Sequence, residues 1–155
     1  MNAHLIDGKK FAKGLADKIA ASVSMIKKTY QVTPCLAVVL VGTDPASQVY
    51  VRNKGQQTRA AGMTSIEHKL PSTASEAQLL ALIDSMNKDE AIDGILVQLP
   101  LPKQINEASV IQAIAPEKDV DGFHVVNAGL LATGYRGLVP CTPLGCCLLY
   151  TSDAA

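Results

Sequence analysis

The chain has 155 residues, enough for one domain with a core of its own. Nearly half of it, 48%, is apolar, which argues against disorder, and 14 basic residues balance 14 acidic ones. With no net charge, no tryptophan and 4% aromatic residues, nothing in the composition points to nucleic acid or an anionic membrane as partner.

The start, "MNAHLIDGKKFAKGLA", lacks the apolar core of a signal peptide and the Arg- and Ser-rich character of a transit peptide. Residues 8 to 30 read as a helix, with Phe11, Leu15, Ile19, Val23 and Ile26 forming one apolar stripe. "CLAVVLVG" (35 to 42) is a β-branched run ending in glycine and reads as a strand buried on both faces. In "TDP", Asp44 is a candidate cap and Pro45 suits a first helical turn, so a helix is expected from about 46 to 61, ending at Gly62.

"TSIEHKL" (64 to 70) is a weaker strand, and "SEAQ" (75 to 78) is a capping box. The helix it opens carries Leu79, Leu82, Ile83 and Met86 on one side. "DGILVQL" (93 to 99) is a second buried strand, closed by "PLP". A helix is expected over 104 to 115, a loop over "PEKDVDGFH", and a short helix around 125 to 132. No run of apolar residues is long enough to span a bilayer.

Alternating helices and strands imply βαβ units with right-handed crossovers. The expected fold is a three-layer αβα domain with a mainly parallel sheet. Ligands in such sheets sit beyond the carboxyl ends of the strands. Three loops converge there: the turn leading to Tyr50 and Lys54, the turn at Gln98, and the loop with Asp119 and Asp121.

Tyr50 and Lys54, four apart, share one helical face. Taken alone, such a pair is an ordinary half-buried phenol beside a solvated amine; its place just after a buried strand makes it a site candidate. Short-chain dehydrogenases also use Tyr-x-x-x-Lys, but the chain has no Gly-x-Gly fingerprint for a dinucleotide, which counts against that class. Gln98 could be a satisfied strand end, and Asp121 a turn carboxylate before Gly122. Cys141 in "PCTP" is a reactive thiol or a small packing group. The other cysteines (Cys35, Cys146, Cys147) form no Cys-x-x-Cys pair, and His4, His68 and His124 show no ligand spacing. No metal is expected, and a reduced, cytoplasmic setting is.

Five segments carry a resemblance. "VGTDPASQVYVRNKGQQTRAAGM" (41 to 63), "DGILVQLPLP" (93 to 102), "PEKDVDGFH" (116 to 124), "NAGLL" (127 to 131) and "VPCTPLG" (139 to 145) resemble, in order and spacing, the bifunctional methylenetetrahydrofolate dehydrogenase/methenyltetrahydrofolate cyclohydrolase family. The resemblance runs from about residue 3 to 145. It implies oxidation of 5,10-methylenetetrahydrofolate to the 5,10-methenyl form with NADP, then hydrolysis to 10-formyltetrahydrofolate.

By matched position it makes Lys54 the central catalytic residue, handling a proton beside the one-carbon bridge. Proton transfer by lysine near neutrality requires a lowered pKa, which burial supplies. Gln98 would hold Lys54, Tyr50 would pack on the folate, and Asp121 would accept hydrogen bonds from the amino-pyrimidine edge of the pterin. Tyr50, Ser47, Val97, Gln98, Leu99, Asp121 and Cys141 are the implied substrate contacts.

Residues 1–139 are then the folate-binding catalytic domain. Residues 140–155 start the connection to a Rossmann-type NADP domain that the chain does not contain. The tail, 147–155, departs from the family's pattern as a foreign junction would. The intact protein is expected to be a homodimer. A non-catalytic folate- or pterin-binding fragment stays open as the alternative, because the same pocket residues serve it.

Overall fold

The computed structural model describes residues 7–152. His4 and the last three residues of the tail lie outside the described residues. Helix α1 spans Gly8–Tyr30, and strand β1 (Cys35–Val41) follows. Helix α2 (Pro45–Ala60), strand β2 (Thr64–Leu70), helix α3 (Glu76–Lys88) and strand β3 (Gly94–Val97) complete two crossovers. Helices α4 (Glu107–Ala113), α5 (Val125–Ala132) and α6 (Cys141–Ser152) finish the chain.

The three strands are parallel and ordered β2-β1-β3, with Ala37 of β1 opposite Ile66 on one side and Ile95 on the other. Central β1 is buried almost throughout, as its unbroken apolar run requires. Edge strand β2 is mostly polar, and Ser65, Ile66, His68 and Leu70 are its partly covered residues.

Both faces of the sheet are packed. Ala37, Val39, Val41, Ile95 and Val97 meet Leu79, Ile83 and Met86 of α3 and Val110 of α4. On the other face Val38, Leu40 and Leu96 meet Val51 of α2. The second cluster is the smaller one, and beside it the sheet face opens into a cavity under α1 and α2. Helix α1 is anchored where Lys27 Nζ donates to the carbonyl of Gly62 at 2.9 Å, and Val23 is its one buried side chain among those described. The rest of its apolar stripe is half-covered or exposed, Leu15 and Ile19 among them.

Local signals set most boundaries. Asp44 caps α2 through Ser47 N, with Pro45 in the first turn, and Gly62 takes φ +86° where the helix has ended. The Ser75–Gln78 capping box closes in both directions. Helix α4 is shorter than the 104–115 expected. Gln104 Nε2 donates instead to the carbonyls of Ser72 and Ala74, and Asn106 is the cap, its oxygen accepting from Ser109 N. At the other end Asn87 receives the N–H of Ala115 and donates to Ala113 O, and Pro116 biases Ala115 away from helical backbone.

Candidate active site

Lys54 and Gln98 meet because α2 runs back across the face beside which β3 ends. Lys54 Nζ donates to Gln98 Oε1 at 3.2 Å. The amide is held from both sides: its own Nε2 donates to Leu99 O at 2.6 Å, and its backbone N donates to Val39 O. With the nitrogen end engaged, the oxygen end is turned toward the ammonium. An ammonium has three donors, so Lys54 keeps capacity for a ligand. The Leu99–Pro100 peptide that follows is cis.

Asp121 arrives from the loop before α5. Residues 118–120 run beside β3: Ile95 N donates to Lys118 O at 2.7 Å, and Ile95 bridges Asp119 in parallel sense. The pairing ends at that bridge: the N–H of Gly122 donates to Asp119 O at 3.1 Å, so Val120 and Asp121 lie in a turn, and Asp121 faces the same cavity as Lys54. The loop then turns at Gly122, whose φ is +67°. A Cβ there would stand 2.9 Å from Val139 C and Pro140 N, so the backbone of 138–140 rests directly on this glycine. That contact delivers Cys141, whose Sγ donates to Val120 O at 3.4 Å.

Lys54, Asp121 and Cys141 open into one cavity of about 540 Å³, floored by Leu36, Leu96 and Val120. Its size suits a small organic ligand, and its wall is largely apolar with a few convergent polar groups. Burial pushes the Asp121 carboxyl above the ordinary range; the Lys54 ammonium draws it down again and the Asp119 charge adds to the rise. The Cys141 thiol is also raised, first by burial and then by the Asp121 charge. This thiol is therefore poorly disposed to be a nucleophile.

The cavity does not sit wholly beyond the carboxyl ends of the strands. It runs down the sheet face as far as Pro34, Cys35 and Gly94, where β1 and β3 begin. The Lys54–Gln98 contact marks its upper end. Tyr50 stands on α2 one turn before Lys54 and is 62% exposed; neither it nor Gln98 is among the residues that line the cavity. Val97 is buried in the core and Leu99 is half-buried in the turn. Ser47 is buried under the first turn of α2, outside the cavity wall.

The residues that sequence reasoning missed are the ones that build the wall, Ala16 and Ile19 of α1 and Thr142 of α6, and the buried Asn127; the loop position of Asp119 places it at the site but does not reveal its burial. Helical spacing marks Ile19 as apolar-face, but only the tertiary fold says which face lines a cavity.

A dinucleotide needs an open helix N-terminus with free backbone N–H groups and a close-approaching turn. The described crossover turns do not offer one. At α2 the Asp44 carboxylate already accepts from Ser47 N, which holds its pKa below the usual range and leaves a negative charge at that terminus. At α3 the capping box occupies the first turn. Neither of these two helix N-termini therefore fits NADP phosphates.

Residues 6–121 match the family described as tetrahydrofolate dehydrogenase/cyclohydrolase, catalytic domain. The chain is 60% identical over 145 residues to bifunctional protein FolD 2 of Paracoccus denitrificans, covering 94% of this chain and 48% of that protein. It is likewise 60% identical over 147 residues to bifunctional protein FolD of Rhodospirillum centenum, with 95% and 48% covered. Among solved structures it is similar to the FolD methylenetetrahydrofolate dehydrogenase/cyclohydrolase of Campylobacter jejuni, with a TM-score of 0.94 at 39% identity over 97% of this chain and 54% of the other. It is also similar to the Trypanosoma brucei enzyme solved with NADP cofactor and inhibitor, with a TM-score of 0.94 at 31% identity, 100% of this chain and 54% of the other. The chain spans about half the length of the curated relatives it matches.

Proposed function

Because this chain belongs to the tetrahydrofolate dehydrogenase/cyclohydrolase family, we propose that its cavity binds tetrahydrofolate derivatives and that Lys54 performs the proton chemistry of their one-carbon unit. The observation that carries this reading is the Lys54–Gln98 contact, with Asp121 in the same cavity. A carboxylate accepts the paired N–H donors of an amino-pyrimidine, so Asp121 fixes one end of the pterin. Tyr50 covers a flat face of the ligand with its ring. Lys54 then stands at the carbon that bridges the two folate nitrogens. In the hydrolysis, water adds to the cationic methenyl carbon and loses one proton, the bond from that carbon to the pterin nitrogen breaks as that nitrogen takes the hydroxyl proton, and the formyl group stays on the other nitrogen. Lys54 handles the proton that moves from water, and Gln98 keeps its Nζ in place. Cys141, on the cavity wall, is a further proposed contact; Ser47, Val97 and Leu99 are proposed from the resemblance alone, since Ser47 is buried outside the cavity and Val97 packs on the α3–α4 face.

The oxidation of 5,10-methylenetetrahydrofolate, with NADP as acceptor, is proposed for the protein at its relatives' length. The residues described here supply the folate side of it. The proposed division places the folate unit at 1–139 and the start of a connection to an NADP domain at 140–155, with 147–155 as an atypical tail. Its support is that α6 begins at Cys141 and none of its described side chains is buried. A homodimer in the cytoplasm is part of the same proposal; no described helix is long and apolar enough to cross a membrane.

The test is hydrolysis of 5,10-methenyltetrahydrofolate, followed by loss of its absorbance, for the chain and for Lys54→Ala. Removing a group that transfers protons costs about 10²- to 10⁴-fold in rate. Equal catalysed rates in the two proteins would contradict the role given to Lys54. Binding without turnover in either would favour a non-catalytic folate-binding fragment.

A further inference from the structure

Asp121 accepts no hydrogen bond from the described residues; its carboxylate is left to a ligand, and something else must hold it in place. The residues around it are tied down. Asp119, 2% exposed, accepts at one oxygen, Oδ2, from His124 N at 2.8 Å and from Asn127 Nδ2 at 3.1 Å. Asn127 is buried as well. Its Nδ2 donates also to Pro116 O at 2.8 Å, and its Oδ1 accepts from Leu138 N at 3.4 Å. One carboxylate and one amide thus join the start of the loop, its end, helix α5 and the segment leading to Cys141.

We propose that the buried Asp119–Asn127 pair is the positioning element of the site, holding the Asp121 loop and the 138–141 segment in the places from which Asp121 and Cys141 face the cavity. The chemistry of the pair suits holding rather than reacting. Neither side chain lines the cavity. A charged acceptor shared by a backbone N–H and a side-chain amide makes stronger bonds than neutral groups would, and a buried, satisfied network fixes a single arrangement. Leaving those donors unmet costs the full desolvation penalty, so the loop would shift rather than tolerate the loss.

The inference rests on the folate reading only for the ligand used in its test. The dissociation constant for tetrahydrofolate is measured on the full chain for Asp119→Ala, Asn127→Ala and Asp119→Asn, each alone and combined with Asp121→Asn. Acting through Asp121, Asp119→Ala weakens binding about tenfold alone and less than about twofold in the Asp121→Asn background. Asn127→Ala behaves the same way. Asp119→Asn, whose neutral side-chain oxygen can take the same two donors in weaker bonds, loses less affinity than Asp119→Ala. Equal losses in both backgrounds, or an Asn variant as weak as the Ala variant, overturn the proposal.

Amide hydrogen exchange on the same proteins without ligand gives a second reading. Faster exchange in Asp119→Ala confined to 119–124 and 138–141, with β1 unchanged, supports the pair's role. Unchanged or uniformly faster exchange overturns it. If the wild-type chain does not bind tetrahydrofolate, the folate reading fails, and the exchange result alone decides the positioning role.

Discussion

Asp121 is held at a cost. Burial raises its pKa in the folded chain, Asp119 adds to the rise, and the Lys54 ammonium offsets part of it. A carboxyl whose folded pKa is raised binds its proton more tightly when folded than when unfolded. Its contribution therefore favours folding below the unfolded value, near 3.8, and is lost as pH rises through the folded pKa. Asp121→Asn removes that penalty. The variant should melt higher than the wild type at neutral pH, and the gap should close as pH is lowered below about 3.8, where both side chains are neutral. Melting curves across that range check it; a variant less stable at neutral pH would mean the carboxylate is well paired. The gain should come with weaker folate binding, the usual trade at a functional site. Lys54, Gln98 and Asp121 were legible as candidates because each follows or ends a strongly patterned segment. Asn127 was not, and Asp119 was legible only as a loop carboxylate near the site, because a polar residue in a turn looks solvated until the fold shows what is buried around it.

The elements follow their local signals, so changes at those signals should have local consequences. Ser75 supplies one half of a reciprocal cap on α3. Ser75→Ala should cost about 1 kcal/mol of stability, read from denaturant midpoints, with the folded structure otherwise unchanged. Between β3 and the 118–120 segment the spacing is tighter. A Cβ on Gly94 would stand 2.6 Å from Val120 Cγ1, and that valine floors the cavity. Gly94→Ala should destabilise the chain by about 1–3 kcal/mol and push the Asp121 loop outward. An unchanged melting point would show that Val120 gives way freely. The strands and α1, α2, α3 and α5 were legible from periodicity and caps. The length of α4 was not, because residues 104–106 are claimed by long-range bonds to the start of α3, which no window of sequence contains.

At the scale of the whole molecule, the sheet has a full core on one face and a cavity on the other. Strand patterns predicted a parallel, two-sided sheet, and the chain has one. They did not predict the β2-β1-β3 order or the cavity's extent, since alternation records which residues are covered and not by what. The asymmetry organises the site. The α3–α4 face stabilises β1 and β3, while the α1–α2 face leaves room for a ligand between Leu36, Leu96 and Lys54. Ile19, 40% exposed, lies on the cavity wall, which explains why part of the α1 stripe remains open although its spacing is that of a core helix.

The measurement that tests this account most directly is a nuclear magnetic resonance titration of the chain with tetrahydrofolate, following backbone amides and the Lys54 side chain. The account predicts saturable shifts gathered at Tyr50, Lys54, Gln98, Asp121 and Cys141, with the α3–α4 face silent. Absence of saturable shifts, or shifts gathered on α3 and α4, would contradict it.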